Sequence, residues 1–404
     1  MNRCDIVYLV SRFPVTSETF ILREIEALQA MDCFDIELRS LFPAPDQPVH
    51  RAAFDWTRRL VRPSAAAGAA GFGWAAATRP RRLARVLRQV ISGYRHSPNL
   101  LARAMITVLL ACAHARGLAA RRPAPHIHAH YATYPALAAW VCHELIGTSY
   151  SFTAHAHDLY VDTSMLDRKV ADARFVVTIS EYNRALLRRI AGDGTPIHVI
   201  HAGIDVPAYP FRPRRIPTSG PVRALTVASL QEYKGHAVLL EALARGGPGV
   251  ERITVDLIGD GALRADLETL TAALGLGGRV RFLGSRSQDE VRAALDAADL
   301  FVLPSVVAAD GQMEGLPVAL MEALACGVPT VSTALSGIPE IVVDNVTGLL
   351  AVPGDAVSLN TALTAMTEAD TERFGRAGRE LVVRDFDLHR TIDALADLLR
   401  QTCR

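Results

Sequence analysis

The chain has 404 residues, 50% of them hydrophobic, and a formal net charge of +1, which allows two domains with full cores and gives no global reason to bind nucleic acid or a strongly charged partner. Its six cysteines, Cys4, Cys33, Cys112, Cys142, Cys326 and Cys403, include no Cys-x-x-Cys pair, which argues against a zinc ribbon or a disulfide framework and fits a reducing cytoplasm. The start runs from Met1 straight into the apolar stretch Ile6 to Val10, too short for a signal-peptide core and shaped like a first buried strand, and no stretch is read as the roughly 20 apolar residues of a membrane span.

In chain order, strands are expected at 6–10, 34–40, 126–130, 148–153, 174–179 and 197–201, with helical patterns between them. Short β-branched runs alternating with helices predict a parallel sheet covered on both faces, hence a doubly wound first domain over 1–205. The stretch Ala202 to Pro221 has five prolines and no helical period, so a linker is expected at 206–221. The alternation then restarts at 223–228, 253–258, 279–283, 300–303 and 329–332, which predicts a second doubly wound domain over 222–384 followed by a helical tail, 385–404. In such α/β sheets, ligands bind outside the carboxyl ends of the strands.

Residues 43–125 are atypical in composition. From Trp56 through His143 there is no Asp or Glu, while thirteen arginines occur. Within Pro80 to His96, Leu83, Val86, Leu87, Val90 and Ile91 recur at spacings of three and four, with arginines on other faces. Two readings follow: a basic helix lying on an anionic membrane surface, or a helical insertion packed on the core with its arginines in water. Nucleic acid is disfavoured, because interleaved aromatics and a matching motif are both missing.

Several residues carry chemistry in their spacing. Glu314 and Glu322 flank Gly315, Leu316 and Pro317; the ring-fixed φ of Pro317 suits a first helical position, which leaves Glu314 in the preceding loop beside the N–H groups near Gly315, Leu316 and Val318. A carboxylate beside a helix N-terminus suits a sugar hydroxyl next to a phosphate. Lys234-Gly235 follows an expected strand, where an ammonium could neutralise a diphosphate leaving group. Gly259-Asp-Gly261 opens like a dinucleotide fingerprint, but Arg264 stands where the third glycine belongs, so a tight turn beside a nucleotide base is the better use. His155 and Asp158 come just after the strand ending near Thr153, and His126, His128 and His130 alternate onto one strand face. The Asp-His spacing of a metallo-hydrolase is missing, so a metal is not expected.

These segments together resemble retaining glycosyltransferases of the GT-B fold, family 4. Asp310 to Val331 is similar to that family's Glu-x7-Glu region, Ser336-Gly-Ile-Pro-Glu340 to its segment beside the donor diphosphate, Val227 to His236 to its phosphate loop, and Val255 to Arg264 to its nucleotide-binding strand and turn. Ser11 to Leu28, Ser151 to Tyr160 and Phe175 to Arg184 resemble the subgroup that makes exopolysaccharides of the colanic-acid type. The likeness covers nearly the whole chain apart from 43–125.

The resemblance implies two Rossmann-like domains, a nucleotide-diphosphate sugar as donor, a hydroxyl acceptor and no cofactor or metal. It implies that His155, Lys234 and Glu314 serve catalysis. Donor contacts would come from Ser229, Lys234, Gly259, Gly261, Arg264, Glu314, Gly315, Leu316, Val318 and Glu322, with Glu322 on the ribose hydroxyls. Arg12, Ser17, Glu18, Thr19 and Asp158 would lie on the acceptor side. The family has an arginine where Ser229 stands, so one fixed charge is missing unless Arg264 or Arg12 replaces it. A lipid-linked oligosaccharide at the cytoplasmic membrane face is the expected acceptor; a soluble small molecule, or sugar-nucleotide binding without turnover, are the alternatives.

Overall fold

The computed structural model describes residues 3–15, 19–44 and 53–403, with the backbone alone at Thr19. Ser17 and Glu18 therefore lie outside the described residues. The chain divides into two compact units. The first comprises Met1–Ile179, Asn183–Ile200 and Ile392–Arg404; the second comprises Ser180–Tyr182 and His201–Thr391.

The first unit is built on six parallel strands, β1 (Cys4–Arg12), β2 (Phe34–Phe42), β3 (His126–His130), β4 (Tyr150–Ala154), β5 (Phe175–Thr178) and β6 (Ile197–Val199), in the order β2-β1-β3-β4-β5-β6. The order reverses between β1 and β3, which opens a crevice at their carboxyl ends. Every residue of β3, β4 and β5 is buried, as expected of strands covered on both faces.

Four helices fill the interval before β3: Ala53–Arg59, Ala65–Thr78, Pro80–Tyr94 and Pro98–Leu118. Ser64 and Ser97 cap the second and fourth, each hydroxyl accepting a backbone N–H three residues on. A Cβ at Gly71 would come 2.5 Å from the Ala113 nitrogen, so only glycine lets the second helix approach the fourth this closely. Leu83, Val86, Val90 and Tyr94 of Pro80–Tyr94 are buried in the core cluster of the unit. This apolar stripe therefore packs inward and is not available to enter a lipid surface, while Arg79, Arg81, Arg82, Arg85, Arg88 and Arg95 are exposed.

Two expectations from composition need correction. The 21-residue helix Pro98–Leu118 is long and apolar enough to cross a membrane, although it packs against Ala65–Thr78 and Tyr134–Ile146 and buries Val108, Leu110, Ala111 and Cys112 among others. Cys4 and Cys403 form a disulfide with Cα atoms 5.6 Å apart across a separation of 399 residues, a pairing no local spacing signals. Cys33 is free and half-buried; Cys112, Cys142 and Cys326 are free and buried.

The second unit has six parallel strands, β7 (Val222–Val227), β8 (Ile253–Ile258), β9 (Val280–Gly284), β10 (Leu300–Leu303), β11 (Thr330–Thr333) and β12 (Leu349–Ala351), in the order β12-β11-β10-β7-β8-β9. Its reversal falls between β7 and β10. The proline-rich stretch before β7 is tied down locally: Arg379 Nη1 donates to the carbonyls of Val206, Tyr209 and Ala325 at 3.5, 2.8 and 2.9 Å, and Ile204 bridges to Asp387.

Candidate functional site

At the reversal of the second sheet, four loops converge at carboxyl ends. The loop after β7 carries Ser229 and Lys234, the turn after β8 carries Gly259 and Gly261, Ser305 follows β10, and Ser336 follows β11. Their closeness is dictated by small residues. Gly259 has φ +139°, and a Cβ there would lie 1.9 Å from the Ala228 carbonyl oxygen; one at Gly261 would lie 2.6 Å from that of Leu230. The Gly-Asp-Gly turn thus presses on the backbone around Ser229, which no other residue type allows.

Lys234 and Glu314, 80 positions apart, form an ion pair through Nζ and Oε2, with side chains only 14% and 12% exposed. Burial works against the ammonium, but Glu314 first and Tyr233 next outweigh it, so the Lys234 pKa is raised above the ordinary lysine value. The Lys234 ammonium also sits 4.8 Å from the centre of the Tyr233 ring. Ser336 holds the Glu314 loop by donating its hydroxyl to the carbonyls of Glu314 and Gly315. A Cβ at Gly337 would be 2.7 Å from the Gly315 oxygen, so this loop also packs backbone to backbone. Glu340 accepts the N–H groups of Glu181 and Tyr182 at 2.9 and 3.1 Å.

The helix beyond Glu314 is Val318–Cys326, with Pro317 as its extended cap at ψ 114° and not as its first residue. Gly315 and Leu316 are buried and Val318 is exposed at the helix start. Its first N–H groups have no intrahelical acceptor, which puts positive potential beside Glu314. One turn on, Glu322 accepts the Tyr209 hydroxyl at 2.5 Å; burial and then Glu322 raise the pKa of that phenol, so it remains a donor. Sequence reasoning missed Tyr209, since the contact spans 113 positions.

Arg264 stands directly after the Gly259–Gly261 turn, and its charge is already partnered. It opens the helix Arg264–Ala273 and pairs with Glu268 at 2.9 Å and Asp260 at 3.9 Å. Arg12, in the first unit, is exposed, donates to the Pro43 carbonyl at 3.4 Å and lies 5.8 Å from the Phe42 ring centre.

The reversal of the first sheet holds a histidine network. His126 bonds Ser149 and Ser151 at 2.9 and 2.7 Å, and His128 bonds Ser151 and Thr153 at 2.8 and 3.0 Å. His130 Nε2 is 2.8 Å from Glu24 Oε1, and its Nδ1 is 3.4 Å from His155 Nε2. Glu24 also accepts the Tyr8 hydroxyl at 2.7 Å. Burial, and next the charge of His130, push His155 down to about 3. For Glu24, burial acts upward, but the charge and hydrogen bond of His130 prevail and hold it down at about 2.

Ligand atoms of Glu24, His128 and His130 lie within 4.8 Å of one another, close enough to hold a metal ion, though each ring nitrogen already has a hydrogen-bond partner in the protein. Asp158 is 2% exposed and accepts the N–H groups of Ala132 at 2.7 Å and His155 at 3.0 Å. Through these bonds it ties the loop after β3 to the loop after β4. The alternation of histidines on β3 was readable in sequence; Glu24, 106 positions from His130, was not.

Residues 212–381 match the family described as glycosyl transferases group 1. The chain is 41% identical over 209 residues to the amylovoran biosynthesis glycosyltransferase AmsK of Erwinia amylovora, a match covering 51% of each protein. It is 36% identical over 228 residues to the putative colanic acid biosynthesis glycosyltransferase WcaL of Escherichia coli K12, covering 56% of each. These matches span about half the length of the relatives. The crystal structure of HepE of Anabaena, in complex with UDP and glucose, superposes with a TM-score of 0.66 at 18% identity, covering 99% of this chain and 100% of HepE. Residues 212–381, within the second unit, thus match the glycosyl transferases group 1, and the chain as a whole has the two-domain α/β fold of the GT-B glycosyltransferases.

Proposed function

We propose that the protein is a retaining glycosyltransferase that moves a sugar from a nucleotide-diphosphate donor to a hydroxyl group. The observation that carries this reading is the part-buried Lys234–Glu314 pair at the reversal of the second sheet, beside the start of the helix Val318–Cys326. Lys234 and the helix N-terminus take up the negative charge that develops on the departing diphosphate. Glu314 accepts hydrogen bonds from hydroxyls of the transferred sugar, and Glu322, from the ribose. Neutralisation by Lys234 makes a divalent cation unnecessary. On the first unit, His155 contacts the transferred sugar. The bond from the anomeric carbon to the phosphate oxygen breaks as the acceptor oxygen bonds to that carbon on the same face. The acceptor proton passes to the departing phosphate oxygen.

The acceptor we propose is a lipid-linked oligosaccharide in exopolysaccharide assembly at the cytoplasmic membrane face, in keeping with the names of AmsK and WcaL. Steady-state kinetics against a panel of nucleotide sugars, with and without chelator, test this reading. Glu314→Gln, assayed below its own melting transition, is expected to lower kcat at least tenfold, a loss of roughly 1.4 kcal/mol or more in transition-state stabilisation, and excess chelator is expected to leave the wild type active. Near-normal turnover in the variant sinks the site, and loss with chelator that Mg²⁺ restores sinks the metal-free mechanism.

A further inference from the structure

We infer that Tyr209, in the proline-rich stretch before β7, is a positioning residue for nucleotide recognition. Its hydroxyl aims the Glu322 carboxylate at the ribose of the donor, so that this connecting segment takes part in reading the nucleotide. The inference rests on the proposed contact between Glu322 and the ribose hydroxyls.

The direction of each hydrogen bond is set by the groups present. Gln288 opens the helix Gln288–Ala297, and its Nε2, which can only donate, reaches the Tyr209 oxygen at 3.2 Å. The phenol has one hydrogen of its own, and an ionised carboxylate can only accept it. That hydrogen therefore goes to Glu322 Oε1, 2.5 Å away, in a short bond of the charge-assisted kind. Burial, and then Glu322, push the phenol's pKa up, so the donor is not lost to ionisation. One oxygen of Glu322 is thus pinned. A glutamate has several rotatable bonds, and fixing them before the ligand arrives removes an entropy cost that binding would otherwise bear.

Tyr209 is itself firmly held. Its side chain is buried, and the Arg292 guanidinium lies 5.5 Å from its ring centre. Arg379 Nη1 donates to the carbonyls of Val206, Tyr209 and Ala325. Ala325 belongs to the same helix as Glu322, so Arg379 ties the backbone that carries the phenol to the helix that carries the carboxylate. Further on, the Arg212 N–H donates to the Cys326 carbonyl at 3.1 Å, and a Cβ at Gly327 would lie 2.7 Å from the Arg212 oxygen. The stretch therefore stays in backbone contact with the end of that helix. Packing asks only for the ring, which a phenylalanine would supply; what the hydroxyl adds is the bond to Glu322.

Calorimetry on the full chain with nucleoside diphosphates tests this without turnover. The probe is the tightest binder among UDP, GDP, ADP and CDP, together with its 2′,3′-dideoxy counterpart, which offers Glu322 no ribose hydroxyl. Binding by none of them removes the donor reading itself. The wild type is expected to prefer the ribo form by roughly tenfold or more. In Tyr209→Phe that preference is expected to fall by roughly threefold or more, because affinity for the ribo form drops while affinity for the dideoxy form stays. An unchanged preference in folded Tyr209→Phe, with both forms weakened equally or neither affected, overturns the inference. Should Tyr209→Phe not fold, Gln288→Ala, at an exposed helix start, removes the donor that turns the phenol toward Glu322 and is expected to lower the preference in the same sense; an unchanged preference there overturns it too. Glu322→Ala tells the two levels apart. If it keeps the wild-type preference, Glu322 is not on the ribose, and that reading falls together with the role of Tyr209. If it abolishes the preference while Tyr209→Phe retains it, the role of Tyr209 alone falls.

Discussion

Lys234 and Glu314 neutralise each other in a setting where neither side chain is more than 14% exposed, so removing one strands the charge of the other. Breaking a buried pair in this way costs on the order of 3 kcal/mol, while removing both leaves no stranded charge. Denaturant unfolding is expected to show Lys234→Met strongly destabilised and Lys234→Met/Glu314→Gln substantially rescued, with a coupling of about 1 to 3 kcal/mol; additive losses would mean the two do not interact. A diphosphate must also compete with Glu314 for the ammonium. Glu314→Gln is therefore expected to bind nucleoside diphosphate at least as tightly as the wild type even as turnover falls, and calorimetry showing weaker binding would contradict this. The residue types of this pair were legible in the sequence, but their contact was not, because sequence spacing says nothing about two side chains 80 positions apart.

The helix Pro80–Tyr94 has two faces with separable consequences. Val86 is fully buried, and Val86→Ala is expected to cost on the order of 2 kcal/mol through the cavity it leaves. Arg81 and Arg88 are exposed, and replacing either with alanine should alter stability by less than about 0.5 kcal/mol. If the protein meets an anionic membrane through this face, each arginine removed should weaken vesicle binding by roughly 1 kcal/mol at low salt, and Val86→Ala should leave that binding alone. Co-sedimentation with anionic and neutral vesicles checks both; equal binding to the two kinds moves the acceptor to the soluble side. The spacing of apolar residues showed this stripe clearly but could not say whether protein or lipid covers it. Elsewhere the strands were readable to within a residue or two because β-branched runs mark them. The exception is β12, three residues long, too short for any periodicity to register.

Across the whole molecule, buried neutral histidines set the response to acid. His114, His128 and His155 are each pushed down to about 3, by burial first and then by Arg39 for His114 and His130 for the other two, and burial puts His126 well below its ordinary value. Unfolded, these side chains take up protons near pH 6.5; folded, they do not. Stability is thus intact above about pH 6.5 and falls with pH below it, by up to about 1.4 kcal/mol per unit for each histidine. Glu24, held at about 2 when folded against 4.5 ordinarily, adds its own loss only below about 4.5. Melting curves are expected to move down steadily from pH 6.5 to 4.5; a flat profile would show that these rings take up protons in the native state.

The bond between Cys4 and Cys403 changes what kind of object the chain is. Drawn as a covalent graph, the oxidised chain closes into a ring at Cys4 and Cys403, and the main segment of the second unit, His201–Thr391, is one arc of it, inserted between segments of the first. Cutting a ring once opens it without dividing it. A single proteolytic nick at the exposed turn Gly192–Gly194 should therefore leave one species of full mass on a non-reducing gel and release two fragments only after a reductant is added.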